Sequence, residues 1–233
     1  MHWFYSSISD SKALLSDEEA HHATKVLRLA AGTEVCVFDG NGNGWKAILD
    51  PPFGKQRTAS LVRKLEVEEK PALSLAVAPT KNIDRTEWLV EKATEIGVGR
   101  IIIFFSENSE RKKIRMDRLQ KIAIAAAKQS QRLHIPDIEG PLSYNEMLKA
   151  EAKAHPLCIA WCGDSERLAI SEAVKKGEKP LVLIGPEGDF SPNEVALAIA
   201  NGAIPVHLGA ARLRTETAAV LSVAAYALHK SLQ

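Results

Sequence analysis

The chain has 233 residues, 45% of them hydrophobic and 25% charged, with 30 basic and 29 acidic side chains. That composition belongs to a folded globular protein and excludes disordered, fibrous and collagen-like chains. The net charge of +1 carries no information about nucleic acid by itself, and the length accommodates one large domain or two smaller ones. No apolar run approaches the roughly 20 residues that span a bilayer. Met1-His2-Trp3-Phe4-Tyr5 lacks the basic, apolar and small-residue regions of a signal peptide. Cys36, Cys158 and Cys162 have no C-x-x-C spacing, so neither a disulfide framework nor a metal site is expected, and a cytoplasmic location is.

The first seventy residues read as mostly β with one helix. Ser16 through Glu19 form a capping-box pattern, Ala23, Val26, Leu27 and Ala30 keep helical spacing, and Gly32 supplies a stop. Two strand patterns, 34–38 and 44–49, flank Asp39-Gly40-Asn41-Gly42-Asn43, which is hairpin-turn chemistry. A further strand covers 58–65, and the acidic stretch from Glu66 to Pro71 reads as a linker, giving domains 1–70 and 71–233.

Beyond Pro71, short runs that are apolar throughout alternate with helical patterns. Strands are predicted at 73–78, 100–105, 157–161, 181–184 and 204–208, with a weaker one near 135–138. Helices are predicted at 84–96, 116–130, 143–153, 166–174, 192–200 and 215–232. This alternation indicates an α/β domain with a parallel sheet covered on both faces. Between residues 100 and 134 stand nine basic side chains against three acidic ones, a local excess that can hold phosphate. A solvated helix face gives the same pattern.

Three segments carry possible chemistry. In Leu183-Ile184-Gly185-Pro186-Glu187-Gly188-Asp189-Phe190-Ser191-Pro192-Asn193-Glu194, a buried strand runs through a glycine loop into a helix capped by Ser191. Ligands of open α/β sheets bind at such strand ends, although a tight turn with no ligand reads the same way. Leu208-Gly209 through Arg214-Thr215-Glu216 makes a second strand-to-helix junction, where Arg214 and Glu216 are either functional or a structural ion pair. Thr80 to Glu87 follows the first strand of the α/β region, and there Lys81 and Arg85 can meet phosphate. Neither G-x-x-x-x-G-K-[ST] nor a helix-opening G-x-G-x-x-G occurs, which disfavours P-loop and conventional Rossmann nucleotide binding.

Taken together these segments resemble the bacterial small-subunit ribosomal RNA uridine N3-methyltransferases of the SPOUT superfamily. The matching pieces are His21-His22 with Val26 to Leu29, Arg85 to Glu87, Glu91 to Val98, Ala127 to Arg132, Ile184 to Gly188, Leu208-Gly209 and Leu213 to Thr217. They stand in family order and cover nearly the whole chain. The resemblance implies a PUA-like β-barrel domain followed by a SPOUT α/β domain whose C-terminal chain forms a trefoil knot. It implies a homodimer that uses S-adenosyl-L-methionine to methylate N3 of a uridine in 16S ribosomal RNA. The donor would be held by Leu183, Gly185, Pro186, Glu187, Gly188, Leu208, Gly209, Leu213 and Thr215. Arg214, Glu187 and Glu216 would be catalytic, and Arg28, Lys81, Arg85, Lys112, Lys113, Arg115 and Arg132 would attract the RNA. Family members commonly have a second glycine where Asp189 stands, an arginine where Ala211 stands and an acidic residue where Lys128 stands. Ribose 2′-hydroxyl methylation and a non-catalytic assembly factor are the alternatives.

Overall fold

A computed structural model describes residues 1–52, 56–163, 166–175 and 179–232. The chain divides into two compact units, one comprising Met1–Lys70 with Ile124–Ile135, the other Pro71–Ala123 with Pro136–Gln233.

The first unit is a closed five-stranded barrel. Its strands are β1 (Trp3–Ser9), β2 (Lys12–Leu15), β3 (Glu34–Phe38), β4 (Gly44–Leu49) and β5 (Arg57–Lys64), in the order β1-β2-β5-β4-β3. Parallel pairing of Trp3 with Cys36 and Phe4 with Val37 closes the ring. Alternate residues point inward, so Phe4, Ala13, Leu15, Val35, Val37, Ala47, Leu49 and Ala59 fill its core. In the β3–β4 turn the Asp39 carboxylate accepts the N–H groups of Asn41 (2.8 Å) and Asn43 (3.1 Å). Gly42 there has φ +96°, and a Cβ on it would lie 2.3 Å from the Glu68 carbonyl oxygen. Glycine is the residue that fits.

The predicted helix in this unit is shorter than its apolar spacing indicated. α1 (Asp17–His21) gives way to a π-type turn over His22–Val26, in which the Leu27 N–H donates to the His22 carbonyl at 2.9 Å. Two features account for this: the Thr24 hydroxyl bonds back to the Ala20 carbonyl (2.8 Å), and the wider turn directs Leu27 and Leu29 toward the barrel core. Val26 is left 60% exposed, and the chain leaves the helix at Arg28, whose φ is +54°. Only half of the predicted capping box forms. The Ser16 hydroxyl accepts the Glu19 N–H, but the buried Glu19 carboxylate turns to Lys128 Nζ at 2.6 Å instead of reaching back. Lys128, an acidic position in the resembling family, therefore neutralises a buried carboxylate here. Lys128→Glu is expected to cost about 3–5 kcal/mol, the penalty of an uncompensated buried charge. Urea unfolding monitored by circular dichroism measures it, and an unchanged midpoint would contradict the pairing.

The second unit is a seven-stranded, all-parallel sheet in the order β10-β12-β9-β11-β6-β7-β8. The strands are β6 (Ser74–Val77), β7 (Arg100–Phe105), β8 (Asp137–Ser143), β9 (Leu157–Ala160), β10 (Leu168–Ala169), β11 (Leu181–Ile184) and β12 (Ile204–His207). Between them run α2 (Ile83–Ile96), α3 (Met116–Ser130, of which residues 116–123 belong to this unit), α4 (Tyr144–Glu151), α5 (Ile170–Ala173), α6 (Pro192–Ala200) and α7 (Thr215–Ser231). β6 and β11 are buried at every position, as strands covered on both faces must be. β8 lies at the sheet edge and is mostly exposed, so it tolerates Gly140 and Pro141 and carries only a weak apolar signal. Where a single helix is expected over 166–174, the chain forms the short β10 and then α5. α7 packs against α2, β6 and β11, burying Ala218, Ala219, Ser222, Val223 and Tyr226. Among the described residues no helix is long and apolar enough to cross a membrane.

Candidate active site

β11 enters the sheet between β6 and β9, and β12 follows on the far side of β9. The C-terminal ends of β9, β11 and β12 thus lie side by side, where open parallel sheets bind ligands. They enclose a cavity of about 320 Å³, a volume suited to one small molecule. Its walls are Ala160 and Trp161 at the end of β9, Ile184 to Glu187 with Asp189 at the end of β11 and its loop, and Val206 to Gly209 with Ala211 to Thr215 at the end of β12 and its loop.

The two glycine-containing loops are fixed to their surroundings. Thr215 Oγ1 donates to the Gly185 carbonyl at 3.0 Å, joining the start of α7 to the β11 loop. Below that loop Ser191 and Glu194 complete a capping box, and the buried Glu194 carboxylate also accepts the Ser106 hydroxyl (2.9 Å) and the Glu107 N–H (3.0 Å). The Tyr144 hydroxyl donates to the Glu194 carbonyl at 2.7 Å. Burial, with the nearby Glu194 charge, pushes the Tyr144 phenol well above its usual pKa, so it stays a proton donor. Asp189 has φ +62°, which explains why a glycine suits the position; aspartate is among the few other residues that adopt this conformation readily. Its carboxylate accepts the Cys162 N–H at 2.9 Å and ties the β9 loop to the β11 loop. Burial and the Asp189 charge raise the Cys162 thiol pKa, which keeps it protonated and poorly nucleophilic.

The predicted site residues fall into distinct places. Gly185, Pro186, Glu187, Leu208, Gly209, Leu213, Arg214 and Thr215 line the cavity. Leu183 is fully buried within β11 and faces the core, and Gly188 lies against Asn108, so neither lines it. Glu187 accepts the Lys81 N–H at 3.0 Å, connecting the β6 loop to the β11 loop. Glu216 faces a neighbouring cleft with Arg85, whose Nε is 3.7 Å away. Arg214 lines both that cleft and the cavity.

Lys112, Lys113 and Arg115 border one groove of about 840 Å³ together with Arg111 and Arg118, over an apolar floor of Ile83, Ile114, Leu119 and Pro141. Arg115 is paired with Asp117 at 2.7 Å and Arg118 with Glu87. Lys81 is paired with Glu110 at 2.7 Å. Arg28 and Arg132 belong to the barrel unit, where Arg132 is held by Glu68 at 2.6 Å. Sequence reasoning missed Trp161, Cys162, Arg167 and His207 as cavity residues. They come from segments with no motif, and only the strand order brings them to the glycine loops.

The geometry agrees with what related proteins are. A family profile for RNA methyltransferase domains matches residues 68–227, and one for RNA methyltransferase PUA domains matches residues 15–52. The chain belongs to the ribosomal RNA small subunit methyltransferase E family. The family's protein from Synechocystis sp. is 30% identical over 225 residues, spanning 93% of this chain and 73% of its own length. The crystal structure of a probable rRNA methyltransferase from Porphyromonas gingivalis is 36% identical, with a TM-score of 0.85 over 99% of this chain and 98% of that one. That of the small subunit methyltransferase E from Neisseria gonorrhoeae, bound to S-adenosylmethionine, is 26% identical, with a TM-score of 0.82 over 97% and 96%. The cavity's donor set suits such a molecule. Ile184, Val206, Leu208 and Leu213 offer apolar surface, while Glu187 and Asp189 offer negative charge toward a sulfonium. The Trp161 indole N–H is buried at the wall with no acceptor among the described residues.

Proposed function

We propose that this chain transfers the methyl group of S-adenosylmethionine to N3 of a uridine in 16S ribosomal RNA, acting in the cytoplasm as a homodimer. Donor-dependent methylation of small-subunit ribosomal RNA goes with membership of the family. The observation that carries the reading is the cavity at the ends of β9, β11 and β12, with Glu187 and Arg214 on its wall. Bound there, S-adenosylmethionine supplies a methyl group on a cationic sulfur. Gly185, Pro186, Glu187, Leu208, Gly209, Leu213 and Thr215 hold it from the cavity wall, with Leu183 and Gly188 contributing only through the backbone of their strand and loop.

Uridine N3 carries a proton at neutral pH, and negative charge spreads to O2 and O4 as that proton leaves. Arg214 stabilises this charge electrostatically, and Glu187 or Glu216 accepts the proton or orients the base. Arg28, Lys81, Arg85, Lys112, Lys113, Arg115 and Arg132 attract the RNA backbone. Among the described residues neither Lys112 nor Lys113 is paired, which leaves both ammonium groups open to phosphate. Residues 1–70 act as a PUA-like RNA-binding domain and residues 71–233 as the catalytic domain. The insertion of β11 between β6 and β9, with α7 returning onto α2, supports a C-terminal chain threaded as a trefoil knot.

The test is transfer of a tritiated methyl group from S-adenosylmethionine to small subunits isolated from cells lacking the modification. Label is expected in the 16S RNA. Its absence at saturating donor would overturn the reading.

A further inference from the structure

We infer that the cleft beside the donor cavity receives the base to be methylated, with the Trp88 indole as its stacking platform. This rests on the proposed methyl transfer to RNA and adds the acceptor site to it. The cleft measures about 340 Å³ and is lined by Asp84, Arg85, Trp88, Arg214, Glu216 and Thr217. Because Arg214 lines both hollows, the cleft and the cavity share a wall. A base in one therefore lies next to a donor in the other.

Trp88 is out of place as a packing residue. α2 buries Thr86, Leu89, Val90, Ala93 and Thr94 against the unit, whereas Trp88 points away and is 43% exposed. Arg85 and Trp88 are three residues apart on a helix and so share one face. An exposed indole beside guanidinium groups is how proteins hold an unstacked base, by face-to-face stacking without regard to sequence.

The polar groups set which base fits. Glu216 is 7% exposed, and one of its carboxylate oxygens is buried without a partner among the described residues. Its contact with Arg85 Nε, at 3.7 Å, is Coulombic and too long for a hydrogen bond, so it anchors Arg85 while leaving the guanidinium N–H groups free to donate. Of the two roles open to Glu216, this gives it that of orienting the base through Arg85, as a positioning residue, and leaves the proton to Glu187. Uracil presents two carbonyl acceptors on either side of N3, which match donors from Arg85 and Arg214. Cytosine presents an amino group at one of those positions and would set donor against donor.

The experiment is steady-state methylation of small subunits by the full chain, comparing wild type with Trp88→Ala and Trp88→Phe, alongside calorimetric titration with S-adenosylmethionine and light scattering. Trp88→Ala is expected to lower kcat/KM for the RNA by about 10- to 100-fold, the loss of one base–aromatic stack. Donor affinity and molecular mass should stay as in wild type, and Trp88→Phe should recover most of the rate. Wild-type kcat/KM in Trp88→Ala would overturn the inference. So would a change in donor affinity or mass that tracks the rate loss, since Trp88 would then be a packing or subunit-contact residue. A wild-type protein that labels no RNA would instead sink the underlying function.

Discussion

Arg214→Ala is expected to lower kcat by about 10²- to 10³-fold, the usual loss when one preorganised donor to a developing negative charge is removed. The residue sits at the junction of β12 and α7, on the wall of the cavity, and is exposed. It occupies the N-cap position of α7 but makes no side-chain capping bond. The helix start is instead held by Thr215, whose hydroxyl donates to the Gly185 carbonyl. Removing the guanidinium should therefore leave the fold and the donor affinity nearly unchanged. Single-turnover kinetics with donor and small subunits both saturating separates this from weakened binding. Wild-type turnover under those conditions would remove Arg214 from the chemistry.

Gly185→Trp is expected to abolish donor binding. Gly185 is buried in the loop after β11, and a Cβ there would already lie 3.1 Å from the Phe190 ring and 3.2 Å from its backbone nitrogen. Phe190 cannot give way easily, because it stacks on Phe104 at 6.1 Å and packs in the core with Tyr144. A large side chain must then turn into the cavity and occupy the space proposed for the donor. Calorimetry should give saturable S-adenosylmethionine binding for wild type and none for the variant, while both keep the same far-ultraviolet circular dichroism. Gly185→Ala, which adds only the crowded methyl, should bind more weakly than wild type and still saturate. If Gly185→Trp bound the donor normally, the donor would have to sit elsewhere.

Much of the second unit was legible from the sequence because its inner strands are apolar throughout and its helices are capped. β11 and α6 follow directly from Leu181 to Ile184, Ser191, Pro192 and Glu194. The barrel was legible only in part. The β3–β4 hairpin announces itself through Asp39 and its glycines, whereas β1 and β2 carry no comparable turn signal and were not separately predicted. α1 ended early because Thr24 and the pull of Leu27 and Leu29 toward the core outweighed a periodicity that included Val26. The glycine loops were visible as strand-to-helix junctions, but their adjacency was not. That depends on β11 entering between β6 and β9, and no local pattern encodes strand order. For the same reason Trp161 and Cys162 had no signal of their own. The resemblance to a known family supplied what periodicity could not: the donor, the RNA and the pairing of the two loops.

The proposed methyl acceptor is one atom, N3 of uridine, and nucleoside analysis by mass spectrometry reads it directly. Small subunits lacking the modification would be incubated with the protein and S-adenosylmethionine, and their 16S RNA digested to nucleosides. A new N3-methyluridine is expected with the wild-type protein, and far less of it after the same short incubation with Arg214→Ala. A ribose-methylated nucleoside, or a methyl group on any other base, would contradict it.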